Sequence, residues 1–149
     1  MRVARVAYDP ANLATVAASA VNLLRYSIVG TIDMQQALNG NAYSNRGRWY
    51  FGSSNDLRLN LLVGRYTATP AALAALVPYE TDGDLSIPLV TIHTTADEVA
   101  PFAHELLYLL KVDTTGRGAF LPFPVARYGH CNFTAQELGL SLLFTANLP

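Results

Sequence analysis

The stretch "IPLVTIHTTADEVAPFAHELLYLLKV" (residues 87–112) changes the character of the chain. "IPLVTIH" (87–93) is a short apolar, β-branched run, with Gly83 and Pro88 marking its start. Such a run reads as a buried strand, the kind found in parallel sheets. "TTADEVAP" is a polar loop, and "FAHELLYLLKV" (102–112) sets Phe102, Leu106, Leu109 and Leu110 at helical spacing. "TTGRG" turns the chain into a second strand, "AFLPFPV", whose Pro122 and Pro124 point to an edge or an irregular path. After "RYGHCNF" comes Thr134-Ala-Gln-Glu137, a capping box that opens a last helix, "AQELGLSLLFTA". Strand, loop, helix, strand, loop, helix is the order of a βαβ layer, so this half predicts an α/β architecture.

Upstream, the pattern is helical and rich in loops. "RVARVAY" (2–8) reads as a short strand or a loose arm. Asp9-Pro10 predicts a cap followed by proline at the first helical position. Leu13, Val16, Ala17, Ala20, Leu23 and Leu24 follow at helical spacing, with Gly30 as the stop. A second short helix is expected over "DMQQALN", ending at Gly40. "GNAYSNRGRWYFGSSND" is a polar, aromatic loop full of turn residues. Ser53, Ser54 or Asn55 can cap a helix through "DLRLNLLVGRY", and Thr69-Pro70 opens another through "PAALAALV". The polar "ETDGDLS" (80–86) is the best boundary inside what reads as a single domain over 1–149. The two parts are then a mostly helical 1–82 and a βαβα 83–149.

Size and composition exclude several classes. The chain has 149 residues, of which 51% are hydrophobic and 14% charged, enough to fill one core and too apolar for disorder. Part of that apolar surface is expected to be buried against another chain. Net charge is −1 with no basic block, which excludes an electrostatic footprint for nucleic acid. Apolar runs such as "LLYLL" and "LSLLF" are too short to span a bilayer, so no membrane partner is expected. No secretory signal is visible, and the compartment stays open. The one cysteine, Cys131, rules out an internal disulfide.

Each predicted strand leads into a polar loop, one with Asp97 and the other with His130. In open α/β sheets functional loops gather at the carboxyl ends of the strands. An aspartate that accepts from one ring nitrogen of a histidine fixes its tautomer, and the other nitrogen is then free to act as general base.

"IPLVTIHTTADEVAPFAHELLYLLKV" followed by "RYGHCNFTAQEL" resembles the C-terminal third of an α/β-hydrolase. In that superfamily a strand ends in a loop with the triad acid, and a later "GHC" loop holds the triad histidine. The resemblance maps the acid to Asp97 and the base to His130. "NAYSNRGRWYFGSSND" also resembles a segment of esterase- or peptidase-like members, at their helical cap or its junction. The motifs cover about residues 85–140, and the weaker match extends to about 40. The fold so implied is a partial α/β-hydrolase: a cap-derived helical first half packed on a small sheet of two or three strands with flanking helices.

The superfamily's nucleophile is missing. It sits in a "GxSxG" elbow between strand and helix, and no such string occurs here. The closest, "GSSND" (52–56), lacks the second glycine and lies in a turn-to-helix context, so Ser53 and Ser54 read as helix caps. The "HGGG"-type oxyanion loop is absent too. The chain therefore resembles the later part of a hydrolase made as a separate protein, inactive alone.

Other candidates read as structural. Cys131 beside His130 suggests a Cys–His nucleophile, but adjacent side chains diverge, and a buried structural cysteine is the better reading. His93, His104, Asp97 and Glu98 could be imagined as a metal set, yet there is no HExxH or CxxC, and neither metal nor cofactor is expected. His93 reads as a hydrogen-bonded support of the acid loop and His104 as a partly exposed helical residue or a group beneath that loop. Glu98 reads as a solvated loop carboxylate. "RGRWYF" could stack on a ligand, but core packing by Trp49 and Phe51 is preferred. Two function classes follow: one part of a split serine hydrolase whose partner chain supplies the serine, or a non-catalytic protein that self-associates as a homo-oligomer.

Overall fold

A computed structural model describes residues 6–148. It has α1 (Ala14–Ala37), α2 (Asp56–Leu62), α3 (Pro70–Leu76) with a 3₁₀ turn (Val77–Tyr79), β1 (Leu89–Ala96), α4 (Ala103–Thr115), β2 (Phe120–Tyr128) and α5 (Ala135–Asn147). Helices combined with a small parallel sheet give an α/β chain. It comprises two compact units: one contains Ala20–Glu80, the other Val6–Ser19 with the chain from Thr81 onward. The arm expected over 2–8 lies mostly outside the described residues, and its last three residues are irregular.

α1 starts in the second unit and continues from Ala20 in the first, where it runs through Gly30 instead of stopping there. A lone glycine costs a helix interior about 1 kcal/mol relative to alanine and does not end it without a left-handed residue or a proline. The stop comes at Asn39, whose φ of 47° is left-handed, and the Gly40 amide closes the end on the Gln35 carbonyl at 3.0 Å. The two expected helices are thus one. With 24 residues and a mean hydropathy of 1.2 over its best window, it is long and apolar enough to cross a membrane by length and composition. The separate apolar runs did not suggest such a length.

α2 is capped by Asn55, whose side chain accepts from the Arg58 amide, and α3 by Thr69 ahead of Pro70. The preceding loop is held by amide side chains, not by aromatic packing. Buried Asn45 donates to the Gly64 carbonyl at 2.8 Å and accepts from the Tyr66 amide at 2.7 Å. Asn60 brackets Tyr50, accepting from its amide and donating to its carbonyl. Trp49 and Phe51, expected in the core, are 58% and 49% exposed. A loop whose backbone is tied down by hydrogen bonds has no need of its aromatic residues as anchors.

In the second unit, β1 and β2 pair in parallel, Leu89 opposite Phe120 through Thr94 opposite Val125, with a register shift between Thr94 and Ala96. Side chains alternate between the two faces of a sheet. Thr91 and His93 meet Glu105 of α4, and Phe120 meets Tyr108 of α4 edge-on. Phe123, on the opposite face, meets Phe144 of α5. Each face is therefore covered by one helix. Ser19, fully buried in this unit, shares a 2.5 Å hydrogen bond with the Tyr128 hydroxyl.

The two edges differ. The Leu89 amide donates to the Ala119 carbonyl, so by alternation the odd-numbered residues of both strands face the β1–β2 ladder. Pro122 and Pro124 then lie toward the outer edge of β2, where they present no N–H. Among the described residues β1 has no second strand beside it, and the amides of Val90 and Ile92 face outward.

The strap Thr81–Gly83 docks on the end of α4. Lys111 donates to the Thr81 carbonyl and Thr115 to that of Gly83. Gly83 is buried with φ of +83°, and a Cβ there would lie 2.6 Å from the Lys111 carbonyl carbon. Gly83→Ala combines a backbone clash with a left-handed strain and should lower unfolding stability by roughly 2–4 kcal/mol. Urea unfolding would read this as a lower midpoint at unchanged m-value.

Candidate active site

The site grows from the ends of β1 and β2. Thr94, fully buried, donates from Oγ1 to the Gly129 carbonyl at 2.7 Å, and the Gly129 amide reaches the Ala96 carbonyl at 3.3 Å. These bonds stitch the turn after β2 to the end of β1. Gly129 (φ 107°) and Cys131 (φ 52°) flank His130 in left-handed backbone, and Asn132 closes the turn on the Tyr128 carbonyl at 2.9 Å. Alternating special dihedrals make a tight turn that projects His130 back toward the β1 loop.

Asp97 occupies that loop. Its Oδ1 accepts the amides of Val99 and Ala100 at 2.7 and 2.9 Å. Its Oδ2 lies 2.8 Å from His130 Nδ1. The Asp97 side chain is 3% exposed, the His130 side chain 42%. Burial pushes the Asp97 carboxyl up. The Ala100 amide, the His130 ring and the Val99 amide outweigh that and hold it below the usual carboxylate range. The ionised acid fixes Nδ1 as the protonated nitrogen and leaves Nε2 free to accept a proton.

The remaining candidates separate. His93 touches the acid loop, with Nε2 2.8 Å from the Ala100 carbonyl and 3.4 Å from Asp97 Oδ2. His104 is exposed on the first turn of α4. Glu98, expected in solvent, is buried, because the tight Asp97–Ala100 turn folds it inward. Cys131, expected to be buried, is exposed, carried to the surface by its left-handed turn position. Ser53 donates to Asp56 Oδ1 at 2.5 Å and accepts from the Asn55 amide, so its hydroxyl is engaged in the turn before α2. Asn55, not either serine, is the cap. Among the described residues no cluster of three or more His, Cys, Asp or Glu could hold a metal ion.

Sequence reasoning missed three supports: Thr94, Glu105, and a brace beneath the His130 turn. Arg127 forms a bidentate pair with Glu137, at 2.9 Å on each oxygen, and donates to the Asn132 carbonyl at 2.7 Å. Glu137 also accepts the Thr134 amide, completing the capping box. The box was legible, and its glutamate was the signal for an arginine partner nearby.

No family model matches the chain, and neither a curated protein nor a solved structure matches it.

The Arg127 guanidinium and the Thr134 amide hold the Glu137 carboxyl down to about 2. A depressed folded-state value contributes stability above the unfolded value, about 4.3, and loses it as pH falls through the folded one. Glu137→Gln should therefore be less stable than wild type at pH 5 and above. The difference should shrink between about pH 4.5 and about pH 2, and vanish below. Urea midpoints of both proteins across that range would show it.

Proposed function

We propose that this chain carries the acid and base of a Ser-His-Asp hydrolase, acting on an ester or amide, with the nucleophilic serine presented by another chain. The observation that carries the reading is the 2.8 Å contact between Asp97 Oδ2 and His130 Nδ1, with the acid buried and the base open. An oriented imidazole with one nitrogen on a buried carboxylate and the other toward solvent is the arrangement that general-base catalysis requires. The resemblance of "IHTTADEVAPFAHE" and "RYGHCNF" to the acid and histidine loops of α/β-hydrolases supports it.

In this mechanism Asp97 stays ionised. His130 Nε2 takes the serine proton as the hydroxyl attacks the carbonyl carbon, and the imidazolium gives that proton to the leaving alcohol or amine as its bond to that carbon breaks. A water deprotonated by the same nitrogen then attacks the acyl-serine, and the proton returns to the serine as the product acid leaves. Oxyanion donors come with the serine chain. Its docking edge is β1, because Pro122 and Pro124 strip donors from the far edge of β2. A second reading, a non-catalytic protein that self-associates, draws on exposed apolar side chains such as Leu61, Leu142 and Ile87.

The isolated chain should show no hydrolysis of a simple aryl ester above background, and a fluorophosphonate probe should label nothing on it. With a chain that bears a GxSxG elbow, labelling should appear on that partner and be abolished by His130→Ala or reduced at least about 10³-fold. Labelling of the isolated chain would point to a nucleophile within it, Cys131 or a serine. Labelling of the partner that His130→Ala leaves unchanged would sink the shared-triad reading.

A further inference from the structure

His93 sits behind the acid, one layer further from solvent than His130. Its side chain is 13% exposed. Nδ1 lies 2.9 Å from Glu105 Oε1 on α4, and Nε2 lies 2.8 Å from the Ala100 carbonyl at the end of the acid loop. Glu105 Oε2 accepts the Thr91 hydroxyl at 2.5 Å, which fixes the carboxylate from the same strand. The ring edge meets Phe102 at 89°. Among the described residues, the charged and titratable groups facing the ring are Glu105 from α4 and Asp97 from the loop. β2 places Pro124 next to His93 in register, and α5 covers the opposite face.

Both ring nitrogens thus face acceptors. A carbonyl oxygen cannot donate, and the Glu105 carboxylate accepts, so both contacts are hydrogen bonds only when both nitrogens carry protons. We propose that His93 is a positioning residue for the Asp97–His130 pair: as a doubly protonated imidazolium it ties the Asp97–Ala100 loop to α4 and so aims the carboxylate at His130. Ala100 is the residue whose amide already binds Asp97 Oδ1. Its carbonyl held by His93 and its amide held by Asp97 make one peptide-scale clamp around the acid.

The clamp depends on pH. Burial pulls His93 down, but the Glu105 hydrogen bond, the Ala100 carbonyl and the charges of Glu105 and Asp97 outweigh it and leave the imidazole above its ordinary value. A raised folded-state value gives stability that is complete below the unfolded value, about 6.5, and is lost as pH rises through the folded one. Once deprotonated, the ring turns a lone pair toward Glu105 or Ala100. With Nε2 bare, two oxygens lie against it at 2.8 and 3.4 Å with nothing to donate.

This inference rests on the reading of Asp97 and His130 as the acid–base pair, but its test reads loop order and needs neither partner nor hydrolysis. Hydrogen exchange of the Val99 and Ala100 amides, followed by NMR in the full chain, reports the Asp97 Oδ1 bonds directly. His93 ring signals in the same samples report its titration. In wild type the two protection factors should be constant at low pH and fall at least about fivefold as His93 loses its proton, the scale of one lost hydrogen bond. Glu105→Gln removes the charge that favours the imidazolium. It should lower the His93 midpoint and move the fall in protection with it. His93→Gln should give low protection that no longer changes with pH. A merely structural role for the ring would reduce protection equally at every pH and leave no midpoint to move. Protection that stays flat while His93 titrates, or a fall that does not follow the midpoint in Glu105→Gln, overturns the proposal. The wild-type series decides alone if a variant fails to fold.

Discussion

Parallel pairing of β1 with β2 is the constraint on which the site depends. Two strands running the same way deliver their following loops to the same end of the sheet. Asp97 and His130 are 33 residues apart in the chain, yet they meet because each follows the end of its strand within two residues. An antiparallel pair would have sent the two loops to opposite ends. The crossover through α4 makes the parallel arrangement possible, and α4 then serves a second purpose by placing Glu105 under the acid loop. The register shift between Thr94 and Ala96 places one extra residue on β2, between Val125 and Tyr128, and two hydrogen bonds then secure the Gly129 turn to the end of β1.

The pair is asymmetric, with the acid buried and the imidazole open. Burying a carboxylate is costly unless its oxygens are satisfied. Asp97 meets that demand with two backbone amides on one oxygen and the imidazole on the other. Those donors favour the ionised form of the acid. The histidine, by contrast, sits on an exposed turn whose backbone is braced by Arg127 and Asn132. A braced turn with an open ring edge gives an imidazole that is oriented but accessible.

Much of this was legible in the sequence because the signals were local. Alternation from β-branched strand to polar loop located Asp97, the Thr134–Glu137 box marked the start of α5, and the paired prolines marked an edge. The expectations that failed depended on what surrounds a residue. Gly30 breaks a helix only where the backbone must turn left-handed, and nothing near it demands that. Trp49 and Phe51 are core-forming by type, but Asn45, Asn60 and Arg65 had already fixed their loop through its backbone. Glu98 and Cys131 exchanged the expected environments because a three-residue turn decides which side chain points inward, and composition is blind to that. His93 was read as a support for the acid loop, yet its partner Glu105 lies on another element, beyond the reach of spacing.

The edges of the sheet turn the same local chemistry into a direction for assembly. Strand addition needs a row of free donors and acceptors, and one proline removes one donor from that row. Pro122 and Pro124 are two residues apart, so both gaps fall on the same edge of β2, while Phe123 between them remains paired with β1. The outer edge of β2 keeps its carbonyls but loses two consecutive outward donors, which is enough to defeat a regular ladder. β1 contains no proline, and its outward amides are intact. A strand added to this sheet would therefore find its regular row of outward donors on β1. That is also the strand whose end leads into the Asp97 loop. An added parallel strand there would deliver its own following loop beside the acid, at the same end of the sheet as His130.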